Sequence, residues 1–584
     1  MTAAGMLPRF LDNLDAFVAA PGAVAKLREM ILDLAVRGKL VEQHQGDAPA
    51  AELLEQVSLE RMRLVENGKL RKRRVPPPPG NEEVPHELPI GWEWTRFSIL
   101  GEVGPRNSID DSSEVSFLPM ATISDGYAGT ISPEVRSWGD VKKGFTHVAD
   151  GDIAMAKITP CFQNRKSAVI LGLKNGVGAG TTELHVLRPI GDAVLPEYAL
   201  LHLKSLSYLE VGVSKMTGSA GQKRVPTAYF SETPFPLPPL AEQLRIVAKV
   251  DSLMSMCDEL EAQQQREVDL RQRASQASLH ALTAATDRSE IQSAWRRLND
   301  HFETLYDTPE TIDDLRQTIL QLAVQGKLVE QDPKDEPSSK LLDRTYVLPK
   351  DYKRGRKLVK KTPVNVPSGL FAELPESWEY AVIQDLYDRN IIVDFADGNH
   401  GSLYPRKNEF ANSGVIFVSA KDLVDGRVQW STCSKLNRDK ANQLVKGWSQ
   451  GGDVLLTHNA TVGRVARVEG EVAPFLLGTS VTFYRLNDAA IDRNYFYIVL
   501  RSQVWQEQMA AIMSQTTRNQ VSIQKQAFFQ IPVPPLNEQQ RIVDKVDQML
   551  ASCDALRAQH EKRVAITEKM LAAMVHRLLE EDAA

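Results

Sequence analysis

The sequence predicts a mixed α/β chain built as two similar halves, each with repeated helical blocks around a variable body. Two long repeats and one change of character point there. Pro238-Pro239-Leu240-Ala241-Glu242-Gln243-Leu244-Arg245-Ile246-Val247 returns as Pro534-Pro535-Leu536-Asn537-Glu538-Gln539-Gln540-Arg541-Ile542-Val543. Ala35-Val36-Arg37-Gly38-Lys39-Leu40-Val41-Glu42-Gln43 returns as Ala323-Val324-Gln325-Gly326-Lys327-Leu328-Val329-Glu330-Gln331. Two long matches in one order mark an internal duplication. Between the blocks, glycine, proline, threonine and β-branched residues rise, and the helical period gives way to short strand-like runs.

Taken in order, Val24–Gln43 and Ile312–Gln331 read as helices whose apolar runs stop at Gly38 and Gly326, because glycine adopts the left-handed conformation that ends a helix. Basic segments follow. Glu87-Leu88-Pro89-Ile90-Gly91-Trp92 then matches Glu373-Leu374-Pro375-Glu376-Ser377-Trp378. The bodies, roughly 86–237 and 372–533, hold about 150 residues each, enough for a core of their own. Strands are predicted at Gly151–Ala156 and Thr182–Leu187, and at Gly452–Thr457 and Ser480–Tyr484. After each Pro-Pro pair, Leu240, Val247 and Val250, and Leu536, Val543 and Val546, follow a 3.5–3.6 residue period. That narrow seam predicts paired long helices of about 40 residues, or about 60 Å. Few prolines interrupt 262–331, which predicts a central helical hairpin. The expected division is 1–85, 86–237, 238–345, 346–533 and 534–584, with the N-terminal helices available to the last helix.

At 584 residues there is room for about three to four domains. Hydrophobic content of 42% and charged content of 25% fit a soluble globular protein. A net charge of −6 excludes a uniformly basic coat but not local basic patches. Cys161, Cys257, Cys433 and Cys553 form no CxxC pair and no Cys/His cluster, so neither zinc nor a disulfide framework is expected. Cys257 and Cys553 fall on the apolar stripe of the repeated helix and are expected in a core. Nothing approaches a membrane span of ~18 apolar residues, and no secretory signal is apparent, which makes the cytoplasm the expected compartment.

Catalytic machinery is not evident. There is no GxxxxGK[ST] phosphate loop, and the Pro-Pro pairs lack the [ND]PP[YF] context that holds a nitrogen for methylation. Asp332-Pro333-Lys334-Asp335-Glu336 has the residue types of a nuclease cluster but reads as a solvated linker. Basic segments are more informative. Arg71, Lys72, Arg73 and Arg74 precede the first body, and Lys353, Arg354, Arg356 and Lys357 precede the second; at equivalent places, they are candidate phosphate contacts. Two regions of each body collect side chains able to read base edges. One holds Lys157, Thr159, Gln163, Asn164 and Arg165, against Thr457, His458, Asn459, Thr461 and Arg464. The other holds Lys215, Thr217, Gln222, Lys223 and Arg224, against Thr517, Arg518, Asn519 and Gln520. Taken singly, each of these also fits an ordinary polar loop.

With Pro-Leu-Pro-Pro-Leu-Ala-Glu-Gln and Pro-Val-Pro-Pro-Leu-Asn-Glu-Gln each opening an Arg-Ile-Val-x-Lys-Val-Asp helix, and with Glu-Leu-Pro-x-x-Trp and Gly-Asp-[Ile/Val] in both halves, the chain resembles the specificity subunits of type I restriction–modification systems. The resemblance covers nearly the whole chain. It implies two target recognition domains held apart by two antiparallel coiled coils in a pseudo-twofold arrangement, and no catalytic activity. It also implies double-stranded DNA with a bipartite site as a partner, together with two methyltransferase subunits that bind S-adenosylmethionine and restriction subunits that use ATP and Mg²⁺. No cofactor is expected on this chain. Readers on one side of B-DNA are centred about 34 Å apart, which leaves roughly 5–7 unread base pairs between half-sites. Because the bodies differ, the expected site is asymmetric. The readings left open are a nuclease or methyltransferase with a diverged active site, and a coiled-coil adaptor for proteins alone.

Overall fold

The computed structural model describes residues 22–348 except 73, 128 and 220, residue 352, and residues 371–580 except 400, 402, 403 and 514–518. The described residues fall into two compact units. One contains those up to Val268 together with those from Arg563 onward; the other runs from Asp269 to Lys562.

In the first unit, α1 (Ala23–Val36) and α2 (Ala50–Glu66) precede the body. The α1 residues Val24, Leu27 and Ile31 share a core with Ile246, Val250, Met254 and Cys257 of the long helix α3 (Leu240–Ala284). The two helices run antiparallel: Arg28 pairs with Asp258 at 2.6 Å and Glu261 at 2.9 Å, while Asp47, farther along the chain, pairs with Arg245 at 2.6 Å. The second unit repeats the plan. After α4 (Arg288–Asp300) comes α5 (Pro309–Val324), which starts where Thr308 caps it and Pro309 supplies a pre-set φ. Ile312, Leu315 and Ile319 of α5 pack with Ile542, Val546 and Cys553 of α6 (Leu536–Glu580). Arg316 pairs with Asp554, and Asp335 with Arg541 at 2.8 Å.

Both long helices have 45 residues, about 68 Å at 1.5 Å per residue. The first continues to Ala284, so Gln263–Arg273 lies inside it. Gly38 and Gly326 end the repeated short helices at φ 69°. A Cβ on either would lie 2.4 Å from a ring carbon of Pro89 or Pro375, which is why glycine recurs there.

Each body is closed by a two-stranded neck. In the first, β1 (Glu93–Thr95) pairs antiparallel with β6 (Phe235–Leu237); in the second, β7 (Glu379–Val382) pairs with β12 (Gln530–Val533). The repeated Glu-Leu-Pro-x-x-Trp and Pro-Pro blocks are therefore the entry and exit of the same structure. Just outside the neck, Trp92 Nε1 donates to Glu242 at 2.9 Å and Gln43 donates to the same carboxylate at 3.1 Å. Trp378 and Gln331 do the same to Glu538, both at 3.0 Å. Gln243 accepts from Leu195 N–H at 2.8 Å and donates to the Ala193 and Pro238 carbonyls at 3.0 Å. Gln539 accepts from Asp492 N–H at 2.8 Å and donates to Pro534 at 3.0 Å.

The first body has a four-stranded sheet in the order β2 (Gly101–Val103), β5 (Leu184–Pro189), β3 (Ile153–Ala156), β4 (Ser167–Val169), and a second four-stranded sheet. In the other body a six-stranded sheet begins β8 (Ile392–Asp397), β11 (Val481–Leu486), β9 (Val454–Asn459), β10 (Thr461–Arg467), and a five-stranded sheet accompanies it. The Gly-Asp motif anchors the strand it introduces. Asp152, fully buried, takes a bidentate pair from Arg188 at 2.7 and 2.8 Å; Asp453 takes one from Arg485 at 2.8 and 2.7 Å. Bidentate geometry fixes the strand on its neighbour more firmly than a single contact would.

Candidate nucleic-acid interface

In the first body, β3 ends at Ala156 and the chain enters the loop 157–166. Its start is tied to the hairpin 217–224 that precedes the neck: Thr159 N–H donates to Lys223 O at 2.9 Å, Val225 N–H to Lys157 O at 2.8 Å, and Ile158 forms a bridge with Arg224. The hairpin closes on itself through reciprocal bonds between Thr217 and Arg224. The two candidate regions, about fifty residues apart in sequence, thus make one edge. Gln163, Asn164, Thr217, Gln222 and Lys223 are exposed on it, as is Lys215 at the end of the helix leading in; Lys157 and Thr159 are half-buried. Two arginines are engaged within the unit. Arg165 reaches Glu29 at 2.6 Å, and Arg224 forms a bidentate pair with Glu183 at 2.9 Å. Buried Lys204, which burial pushes down to about 7, holds the far end of the loop through Arg165 O at 3.0 Å.

The second body makes the same connections with different residues. Ala460 N–H donates to Asn519 O at 2.9 Å, Val521 N–H to His458 O at 2.9 Å, and Asn459 bridges Gln520. A long loop is absent there: β9 passes directly into β10 through Ala460 at φ 63°. Asn519, Gln520, Thr461 and Arg464 are exposed and Asn459 is half-buried. Thr457 and His458 correct the expectation. Thr457 is fully buried and its hydroxyl accepts from Arg464 N–H at 2.9 Å, while His458 is 3% exposed and bonded to the Thr482 hydroxyl at 2.8 Å. As placed, both support the edge from within. Thr517 and Arg518 lie outside the described residues.

One part of the edge is not evident from residue type. Lys157 N–H donates to Glu183 O and His458 N–H to Ser480 O, both at 2.9 Å, so the start of β5 and of β11 supplies a third strand of contact. The signal was present in Thr182–Leu187 and Ser480–Tyr484, whose pairing with the Gly-Asp strands carries their first residues to this edge.

Arg71, Lys72 and Arg74 are exposed after α2, whereas Arg73, Lys353, Arg354, Arg356 and Lys357 lie outside the described residues. Of the seam residues, Val250, Val543 and Val546 are buried, Leu240, Val247 and Leu536 are half-buried, and all six pack into the core of their own unit, joining helix to helix. Asp335, expected in a solvated linker, is instead held by Arg541 and by Asn537 at 3.1 Å. Cys257 and Cys553 are buried, and burial pushes both thiols up to about 11. Among the described residues, no group of three or more His, Cys, Asp or Glu is placed to hold a metal ion, and no helix is long and apolar enough to cross a membrane.

Residues 100–270 and 391–565 match the family profile described as the type I restriction modification DNA specificity domain. The chain is 38% identical over 542 residues to the type I restriction enzyme EcoAI specificity subunit of Escherichia coli, covering 91% of this chain and 90% of that one. It is 38% identical over 547 residues to the EcoEI specificity subunit of the same organism, covering 92% and 90%. A chain from a solved structure on complex assembly and conformational transition of the type I R-M system shares the fold, with a TM-score of 0.51 and 19% identity over 85% of this chain and 99% of that one. Matched in both halves and kin to specificity subunits along most of its length, the chain belongs to the DNA specificity subunits of type I restriction–modification systems, their non-catalytic DNA-recognition components.

Proposed function

We propose that each body reads one half of an asymmetric, two-part DNA site through the edge made by its strand end and its pre-neck hairpin. The observation that carries this reading is the matched set of backbone links at 157–159 with 223–225 and at 458–460 with 519–521. Equivalent scaffolding presents unlike side chains at like positions, as two readers of different half-sites require. The base-reading candidates are Lys157, Thr159, Gln163, Asn164, Lys215, Thr217, Gln222 and Lys223 on one side, and Asn459, Thr461, Arg464, Asn519 and Gln520 on the other. Arg165 and Arg224 would have to exchange their carboxylate partners for bases.

Phosphate contacts are assigned to the basic segments before each body, which would position the chain without reading sequence. The long helices set the gap between half-sites, and the last helix closes on the N-terminal helices. Two methyltransferase subunits dock on the repeated helical parts and bring S-adenosylmethionine; ATP-dependent restriction subunits complete the assembly. Mapping methylated adenines in DNA from cells that contain this chain with its methyltransferase subunits tests the reading. A split, non-palindromic motif is expected, and a continuous or palindromic one overturns it.

A further inference from the structure

We propose that Glu242 and Glu538, each with the tryptophan that donates to it, are positioning residues that fix the angle between a reading body and its own long helix, and so select the gap length accepted between half-sites. The proposal rests on the two-body reading above. The carboxylates are 1% and 0% exposed, and each accepts hydrogen bonds from a neutral indole N–H and a neutral amide, Trp92 and Gln43 in one unit, Trp378 and Gln331 in the other. Apolar side chains would fill these places at less desolvation cost. A buried charge met by directional donors instead specifies one arrangement among several of similar packing, and registry is the best-attested use of such groups.

The location suits that role. Trp92 and Trp378 stand immediately before the neck strands, and Glu242 and Glu538 lie in the first turn of the long helices. The bonds therefore cross the joint at which the body meets its helix. On the other side of the joint, Gln243 and Gln539 clamp the backbone at Leu195 and Asp492. Leverage makes the angle matter. A body of about 150 residues has a radius near 20 Å. A tilt of about 10° at the neck then moves a point about 20 Å from it by about 3.5 Å, close to the ~3.4 Å rise of one base pair.

The test uses the full chain assembled with its methyltransferase subunits, on plasmids carrying its own half-sites separated by the natural gap or by gaps one and two base pairs longer or shorter. Trp92→Phe and Trp378→Phe keep the ring and remove the donor. Trp138→Phe, at a buried tryptophan within the first body that meets the His147 ring edge-on, serves as the comparison for a loss of stability alone. Each neck variant is expected to lower the ratio of methylation at the natural gap to that at neighbouring gaps by about threefold or more, the scale of one lost hydrogen bond. Trp138→Phe should change methylation equally at every gap. An unchanged ratio in both neck variants, whatever the total rate, overturns the proposal, as does an equal shift in Trp138→Phe. If the unaltered chain methylates no split site, the two-body reading fails first and the positioning role falls with it.

Discussion

The two necks are nearly superimposable in chemistry, while the two edges they carry are not. At the necks, Trp–Glu–Gln and Arg–Asp ties recur residue for residue. At the edges, a ten-residue loop with Lys157, Lys215 and Lys223 nearby stands against a one-residue turn surrounded by Asn459, Asn519 and Gln520. Cations suit guanine and amides suit adenine, so the edges present different chemistry from a common frame. The parts that repeat hold the bodies, and on the proposed reading the parts that differ would give each body its own target.

The largest expected effect tests whether the frame is equally needed in both halves. Asp152→Ala or Asp453→Ala takes the buried carboxylate away from a largely enclosed arginine and should destabilise its own body by about 3–5 kcal/mol, measured by urea unfolding. Markedly unequal losses would break the equivalence of the two bodies. Next come the edges, where effects should be unlike. Gln520→Ala should cost about 1–3 kcal/mol of discrimination at one position of the second half-site and none in the first, read from binding to a panel of single-base variants. Lys223→Ala should do the converse.

A smaller and sequence-independent effect is expected from replacing Arg71, Lys72 and Arg74 by serine. The slope of log K against log salt should fall by up to about 0.9 for each phosphate no longer neutralised, equally on all sequences. Weakening confined to one half-site would contradict a phosphate role.

The smallest effect concerns pH. Burial raises both Glu242 and Glu538 above the ordinary 4.5. The folded chain thus binds protons there more readily than the unfolded chain, and the stability these groups contribute rises as pH falls toward 4.5 and declines as pH rises through the folded values. Glu242→Gln with Glu538→Gln should remove that part of the slope, so the variant gains less than the parent between about pH 7 and 4.5. Identical slopes in urea titrations would show that the buried carboxylates carry no such linkage.

Much of the frame was legible in the sequence because periodicity and glycine stops are local signals. The 3.5–3.6 residue seam identified α3 and α6, and Gly38 and Gly326 marked where the short helices end. What the seam residues face was not legible, since burial against the same chain and against a partner leave the same pattern. Asp335 was misjudged for a related reason: its partner Arg541 is more than two hundred residues away, and only the fold brings them together. At the edges, residue type picked out segments that the fold brings together but not the orientation of each side chain. Alternation along β9 sends Thr457 into the core, and the Thr482 hydroxyl holds His458 beneath the surface, neither of which composition reveals.

The claim that necks are interchangeable frames and that the material between them carries the target is tested most directly by replacing residues 383–529 with the equivalent residues 97–233. Adenine-methylation mapping of the resulting chain, assembled with its methyltransferase subunits, should return the first half-site sequence twice and the original second half-site nowhere. Retention of the original second half-site would contradict the account.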